Sequence, residues 1–456
     1  MNMKGCLKQK SQPSFTVNQK KRSLFNFLIG LLLLCASPTF HAALPDLGSR
    51  PQQKLSFQQQ QTLRTAFLRT LYQSHRINTD PTLNQWLSDL GHRLAQYADL
   101  PQRPVFLLIN SPEINAFAGP GGVIGVHTGL ILAADTTDEV AAVLAHELAH
   151  VQQHHLLRTI EDTRYSNLTA LASILAALLV GQYNAQASVA ALYTGQALSA
   201  QQQLAFSRHH ETEADALGIQ ILADAGYDPL AMARFFDKLA QQNRSSSLPI
   251  PEILRTHPVS KRRLADALNR AERLIHTPHT SHTDDYLPYI QALLGAPLPP
   301  DKTDPCLQCL NTSNCPNTCL TNNWLNALHY ALTQPDPASS LNDLIQHWPR
   351  NSALRLAAAR LAATPQQAID HLSNWQAYPV PLRTLMLERL AELQQRIHRD
   401  DASKLYAALV AQAKGYVKQQ RALVQEINPA RLTPSERLIY RALKSKKRQT
   451  KSVQHK

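Results

Sequence analysis

The sequence predicts a mainly α-helical (α+β) chain that contains one small β-sheet. Three observations lead there. Glycine (15 of 456 residues) and aromatic residues (6%) are too scarce for a sheet-rich fold. Segments rich in Ala, Leu and Gln recur with helical spacing along most of the length. Only two short apolar runs, 104–109 and 121–126, read as strands. Apolar residues at 44% support a large core and exclude wholesale disorder or a collagen-like chain. The net charge of +13 sits at the two ends. Residues 1–42 carry six Lys/Arg, residues 441–456 carry seven, and neither end holds an acid. The body between them is balanced, so no basic groove for nucleic acid is expected.

The elements follow in order. Lys20, Lys21 and Arg22 precede the apolar run 24–36, Pro38 breaks it, and Ala42 and Ala43 follow. Basic, apolar, then small is the order of a cleaved signal peptide over 1–42. An uncleaved signal anchor is the rival. A lipoprotein at Cys35 is disfavoured by Leu34 before it. Helices are expected over 57–74 and 81–98, the second opened by Asp80 as cap and Pro81 at the first turn. The two strands come next. Thr136 then opens a helix, with a capping-box flavour, that is expected to run to about Glu161. Residues 168–200 form a low-charge Ala/Leu stretch, read as a buried or lid-forming helix because its apolar part is too short for a membrane span. Helices over 199–225, 228–242 and 261–274 alternate with loops at 245–258 and 277–285.

The span 295–323 reads as an inter-domain linker. It holds Cys306, Cys309, Cys315 and Cys319, spaced for a structural zinc or for two local disulfides. An oxidising compartment favours the disulfides. Beyond it, helices are expected at 323–334, 352–363, 365–376, 381–398, 401–426 and 433–445, broken near Pro335, Pro349, Pro365 and Pro379. That pattern suits a tetratricopeptide-like (TPR-like) array of helical hairpins over 324–443, or else an irregular bundle. The basic tail 444–456 is expected to be disordered.

The chemistry concentrates at His146-Glu147-Leu148-Ala149-His150. Residues four apart share a helix face, so His146 and His150 can present two imidazoles to one metal ion. Glu147 stands beside them to take a proton from water on that metal, the working geometry of the zinc-peptidase signature. The neighbours Val143, Leu144, Leu148 and Val151 are apolar, a poor setting for two histidines and a glutamate unless something coordinates them. A third ligand is expected near 206–218, where Glu211 and Asp215 are four apart. Glu211 can bind the metal, and Asp215 can accept the other ring N–H of a ligand histidine. Glu213, His209 and His210 are rival ligands. His154 reads as a helix-surface histidine.

These segments resemble the HtpX-type gluzincin metallopeptidases, which include the CAAX prenyl endopeptidases, and within them a periplasmic BepA-like branch. The resemblance covers about 45–275. It is carried by Asp80-Pro81, Leu90-Gly91, the run 114–118, the strand 121–126, both metal segments, and the stretch 254–258 with Arg263. It implies a gluzincin-type domain over 43–294 holding one Zn2+ per chain on His146, His150 and Glu211, with Glu147 catalytic and Asp215 orienting a histidine. It also implies that Asn115, Ala116, Val123 and Gly125 lie on an edge that pairs with extended substrate. His257 is expected near the metal, either steadying the oxyanion or filling the open position to keep the enzyme latent. Arg263 is expected to support an acidic partner.

The activity so implied is an exported zinc endopeptidase of the periplasm, hydrolysing misfolded or stalled envelope and outer-membrane proteins. The alternative is a chaperone or assembly factor whose zinc site is mostly latent. Expected partners are protein substrates, envelope or outer-membrane assembly proteins through the C-terminal helices, and peripheral membrane contact.

Overall fold

The structure is a computed structural model that describes residues 55–162, 208–245, 251–274, 287–296, 324–378 and 381–452. The leader 1–42, the stretch 168–200 and the four-cysteine linker lie outside the described residues. No helix among those described is long and apolar enough to cross a membrane.

Helix α1 (Phe57–Gln73) starts at a reciprocal cap, in which the Ser56 hydroxyl accepts from Gln59 N–H while the Gln59 side chain accepts from Ser56 N–H. Helix α2 (Pro81–Ala95) starts as the sequence requires. Asp80 accepts from Thr82 N–H at 2.8 Å and Leu83 N–H at 2.9 Å, and Pro81 sits where no N–H is needed.

The sheet has three strands, β1 (Val105–Ile109), β2 (Ala116–Gly119) and β3 (Val123–His127), in the order β1-β3-β2. β1 runs parallel to β3, and β2 antiparallel to it. The sheet is buried on both faces. Val105, Leu107, Ile109, Phe117 and Val123 face the core under α1, while Phe106, Leu108, Ala116, Ile124 and Val126 face the larger core beyond. That double burial explains why the strands read as continuous apolar runs rather than alternating ones.

Short α3 (Thr128–Ala133) leads into α4 (Thr137–Gln152), capped by Thr136 accepting from Glu139 N–H. All twelve residues from position 139 to 150 of α4 are buried. The helix stops earlier than expected, because His154 adopts a left-handed backbone (φ 55°) and α5 (His155–Asp162) begins in a new direction. Helix α6 (Arg208–Asp224) lies against α4. Gly218 permits the approach, since a β-carbon there would stand 3.1 Å from the His146 backbone. Helices α7 (Leu230–Ser245), α8 (Glu252–Thr256), α9 (Lys261–Leu274) and α10 (Leu287–Leu293) complete the same core.

The C-terminal helices are α11 (Trp324–Thr333), α12 (Pro337–His347), α13 (Ser352–Leu361), α14 (Pro365–Leu372), α15 (Leu382–Arg396), α16 (Asp400–Ala413), α17 (Val417–Glu426) and α18 (Pro434–Ser452). Each packs against the next in sequence. Three differ from expectation. α12 is additional, with Asp336 accepting from Ser339 N–H. The expected helix 401–426 splits at Gly415 (φ 75°), which packs against the Thr65 carbonyl of α1 where no side chain fits. α18 continues to Ser452, into the stretch expected to be disordered. The stack joins the core through Gln85 of α2, whose carbonyl oxygen accepts from Ser352 N–H (2.9 Å) and Ser352 Oγ (2.6 Å) at the start of α13.

Candidate metal centre

α4 and α6 bring together the residues that periodicity singled out. His146 Nε2 lies 3.0 Å from His150 Nε2 and 3.6 Å from Glu211 Oε2. Glu211 Oε1 is 3.5 Å from His150 Nε2. From the turn after α8, His257 joins them, its Nδ1 2.9 Å from Glu211 Oε1 and 3.4 Å from His146 Nε2. One donor atom from each of these four buried residues falls within 4.8 Å of all the others. Among the expected ligands, His146, His150 and Glu211 meet here, while Glu213, His209 and His210 do not belong to the cluster.

Around this lies a charged frame. His146 Nδ1 is 3.1 Å from Asp215 Oδ1. Arg263 donates from Nε and Nη2 to the two oxygens of Asp215, both at 2.7 Å, and its Nη1 is 2.8 Å from Glu211 Oε2. Arg263 also donates to the Pro258 carbonyl, which ties the His257 turn to α9. The sequence marked Arg263 as supporting, and the geometry makes it the cation that neutralises two buried carboxylates. Burial opposes the charge on Asp215, but Arg263 and His146 outweigh it and hold the carboxyl below its ordinary range. Burial likewise opposes ionised Glu211, yet His257 and His146 hold it well below normal. His146 is penalised by burial but lifted to about 10 by Asp215 and Glu211. His150 is driven well below its ordinary value by burial and then by the charges of His146 and His257.

Glu147 is fully buried, and burial pushes its carboxyl up. Neither of its oxygens has a well-formed hydrogen bond among the described residues; Ala118 N–H and His257 Nε2 (3.5 Å) face it. A buried acid in that condition is expensive unless a polar ligand shares the space. The donor set itself, imidazole nitrogens with one carboxylate, is one that borderline divalent cations accept. His146 Nδ1 lies beside Asp215 Oδ1, so a carboxylate orients the ring from behind and Nε2 is turned toward the cluster. The residues therefore fit a metal ion.

The edge of the sheet differs from expectation. β3 is the central strand, paired on both sides, so Val123 and Gly125 offer no unpaired backbone. The edge strands are β1 and β2, and β2 is the one beside Glu147. The Asn115 carbonyl accepts from His127 N–H at 3.0 Å, which makes 115, 117 and 119 the bonded positions. Ala116 and Ala118 then turn their backbone groups away from β3, the Ala118 N–H toward Glu147. Beside them, a pocket lined by Ala118, Gly119, Gly122, His150, Val151 and Leu157 opens. Asn115 Oδ1 is buried with no hydrogen-bond partner among the described residues.

Sequence reasoning missed His155. It is fully buried, with Nδ1 2.9 Å from His150 Nδ1 and Nε2 3.0 Å from Glu213 Oε2. The one signal was the His154-His155 pair just after the motif.

Two histidines four apart on a buried helix, a carboxylate from a second helix and a glutamate beside them define a metallopeptidase-type centre. Comparison with known proteins agrees: residues 81–271 match the model of Peptidase family M48, and the chain carries a domain of that family. The Beta-barrel assembly-enhancing protease of Escherichia coli (strain K12) is 39% identical over 274 residues, covering 59% of this chain and 56% of that protein. Its namesake from Yersinia pestis is 39% identical over 255 residues, covering 55% and 52%. Mitochondrial metalloendopeptidase OMA1 of Arabidopsis thaliana is 32% identical over 157 residues, covering 34% and 29%. The matched region thus spans little more than half the length of the bacterial relatives.

Proposed function

We propose that this protein is an exported zinc endopeptidase that cuts misfolded or stalled envelope proteins, outer-membrane barrels among them, and assists their assembly in the periplasm. The observation that carries the reading is the buried cluster of His146, His150 and Glu211 with Glu147 beside it. The barrel-assembly setting is taken from the names of the bacterial relatives.

In this reading His146, His150 and Glu211 hold one zinc per chain. Zinc held there supplies an acidified water and a polarised substrate carbonyl. Glu147 is placed to take up a proton from the attacking water and to deliver it to the leaving amine. Its buried, partner-poor carboxyl suits both tasks, because a raised pKa makes it a reversible proton carrier. Ala116 and Ala118 pair with extended substrate along β2, and Asn115 binds the same chain. The helices of 324–443 recruit substrates or assembly partners.

The position of His257 favours a latent resting state. Its Nδ1 lies within the donor cluster, 3.4 Å from His146 Nε2, where an open coordination position is needed for catalysis. Withdrawal of the His257 turn then switches the enzyme on.

The test is cleavage of an unfolded protein probe, β-casein, by zinc-loaded full-length chain. His257→Ala is expected to cleave faster than wild type while still binding zinc. Glu147→Gln is expected to cut cleavage by about 10²–10⁴-fold in either background. Undiminished cleavage in Glu147→Gln contradicts the peptidase reading. A His257→Ala variant slower than wild type makes His257 an oxyanion donor instead.

A further inference from the structure

The two ligand imidazoles are supported from outside in different ways. His146 Nδ1 meets a carboxylate directly, Asp215 Oδ1 at 3.1 Å. His150 Nδ1 meets another imidazole, His155 Nδ1, at 2.9 Å. His155 in turn reaches Glu213 Oε2 through its Nε2, at 3.0 Å. The His155 ring is fully buried and stacks on His210, with centroids 4.2 Å apart and planes at 16°. This contact braces the ring from the side. Arg158 Nη1 lies 3.6 Å from the same Glu213 oxygen, and His209 Nε2 3.8 Å from the other.

The chain of contacts has one consistent hydrogen assignment. A carboxylate only accepts, so His155 must carry its hydrogen on Nε2 and donate it to Glu213. A neutral imidazole then has a lone pair on Nδ1, and that nitrogen can only accept. His150 Nδ1 must therefore be the donor. With its hydrogen on Nδ1, His150 keeps its lone pair on Nε2, the atom that faces His146 and Glu211.

We propose that His155 and Glu213 are positioning residues that fix His150 in its metal-binding tautomer. The inference rests on the reading of His146, His150 and Glu211 as zinc ligands. It gives Glu213 a role as the outer anchor of a ligand instead of a ligand itself. It also explains the break after α4. A helix continued through His154 would carry position 155 around to another face, whereas the left-handed turn at His154 returns the His155 ring to His150.

The test is zinc affinity of the full-length chain, measured by competition with a chromophoric chelator, together with thermal melting of the metal-free proteins. His155→Leu is expected to weaken zinc binding by about 10–100-fold, the range for loss of such outer partners. His155→Gln offers a carbonyl to the same Nδ1–H and is expected to recover most of that loss. A packing role alone predicts no such rescue. Glu213→Lys keeps a partly exposed position soluble but replaces the acceptor with a donor, and it is expected to weaken zinc in the same direction even if His155→Leu does not fold. Wild-type affinity in a folded His155→Leu, or in Glu213→Lys, overturns the proposal, as does a His155→Gln no better than His155→Leu. A wild-type chain that binds no zinc removes the ligand assignment itself, and that result is separate from the relay's own failure.

Discussion

Helices α4 and α15 are of similar length but of opposite design. α4 buries every residue from position 139 to 150, and three of these are His146, Glu147 and His150. α15 buries a mainly apolar stripe, Leu382, Met386, Leu387, Leu390 and Leu393, with uncharged Thr384 and Gln394 beside it, and keeps its charges at the rim, where half-buried Arg389 pairs with exposed Glu392 at 2.8 Å. The second helix is what stability alone selects. The first carries ionisable groups into the core, where each is costly to bury, and a second frame of charge from Asp215 and Arg263 makes them tolerable. Where a chain buries polarity it could have exposed, chemistry is the reason to look for.

That contrast can be broken or sharpened experimentally. The largest effect is expected from Glu147→Gln, which should lower casein cleavage by about 10²–10⁴-fold. It should leave zinc content and melting temperature near wild type, as measured on the same preparation. Next is Arg263→Met. It strands Asp215 and Glu211 as buried carboxylates, and urea unfolding of the metal-free chain should show a loss of about 3–5 kcal/mol. Leu390→Ala, in the apolar stripe of α15, should destabilise by about 2–5 kcal/mol through the cavity it leaves. Zinc affinity should not change, and if it did the two regions would be coupled more tightly than their separate cores imply. The smallest effect is expected from Gln85→Leu. It removes the acceptor for the buried start of α13 and should cost about 1–3 kcal/mol by the same unfolding measurement.

The same contrast explains what could be read in advance. His146, Glu147 and His150, and likewise Glu211 and Asp215, are local patterns of one helix turn each, so spacing alone places them on a face. Spacing left Glu211 with Glu213, His209 and His210 as rivals, and the resemblance chose among them, since nothing local joins residues some sixty positions apart. His257 and Arg263 reach the site through a turn whose path only packing decides. His155 was invisible for a sharper reason: it depends on a non-glycine residue in left-handed backbone, which no periodicity announces. β2 went unassigned as a separate strand because four residues, Ala116–Gly119, are too few to show a period. Helix α12 was missed although Asp336-Pro337 repeats the Asp80-Pro81 start; Pro335 and Pro349 on either side were read as breaks. The apolar C-terminal segments showed helices clearly and said little about their arrangement, because a stripe of Leu and Ala specifies burial but not its partner.

The account stands most directly on metal content of the purified full-length chain by elemental analysis. It predicts close to one zinc per chain in the wild type and loss of most of it in Glu211→Ala. A wild type without bound metal, or a Glu211→Ala variant that retains the full complement, contradicts it.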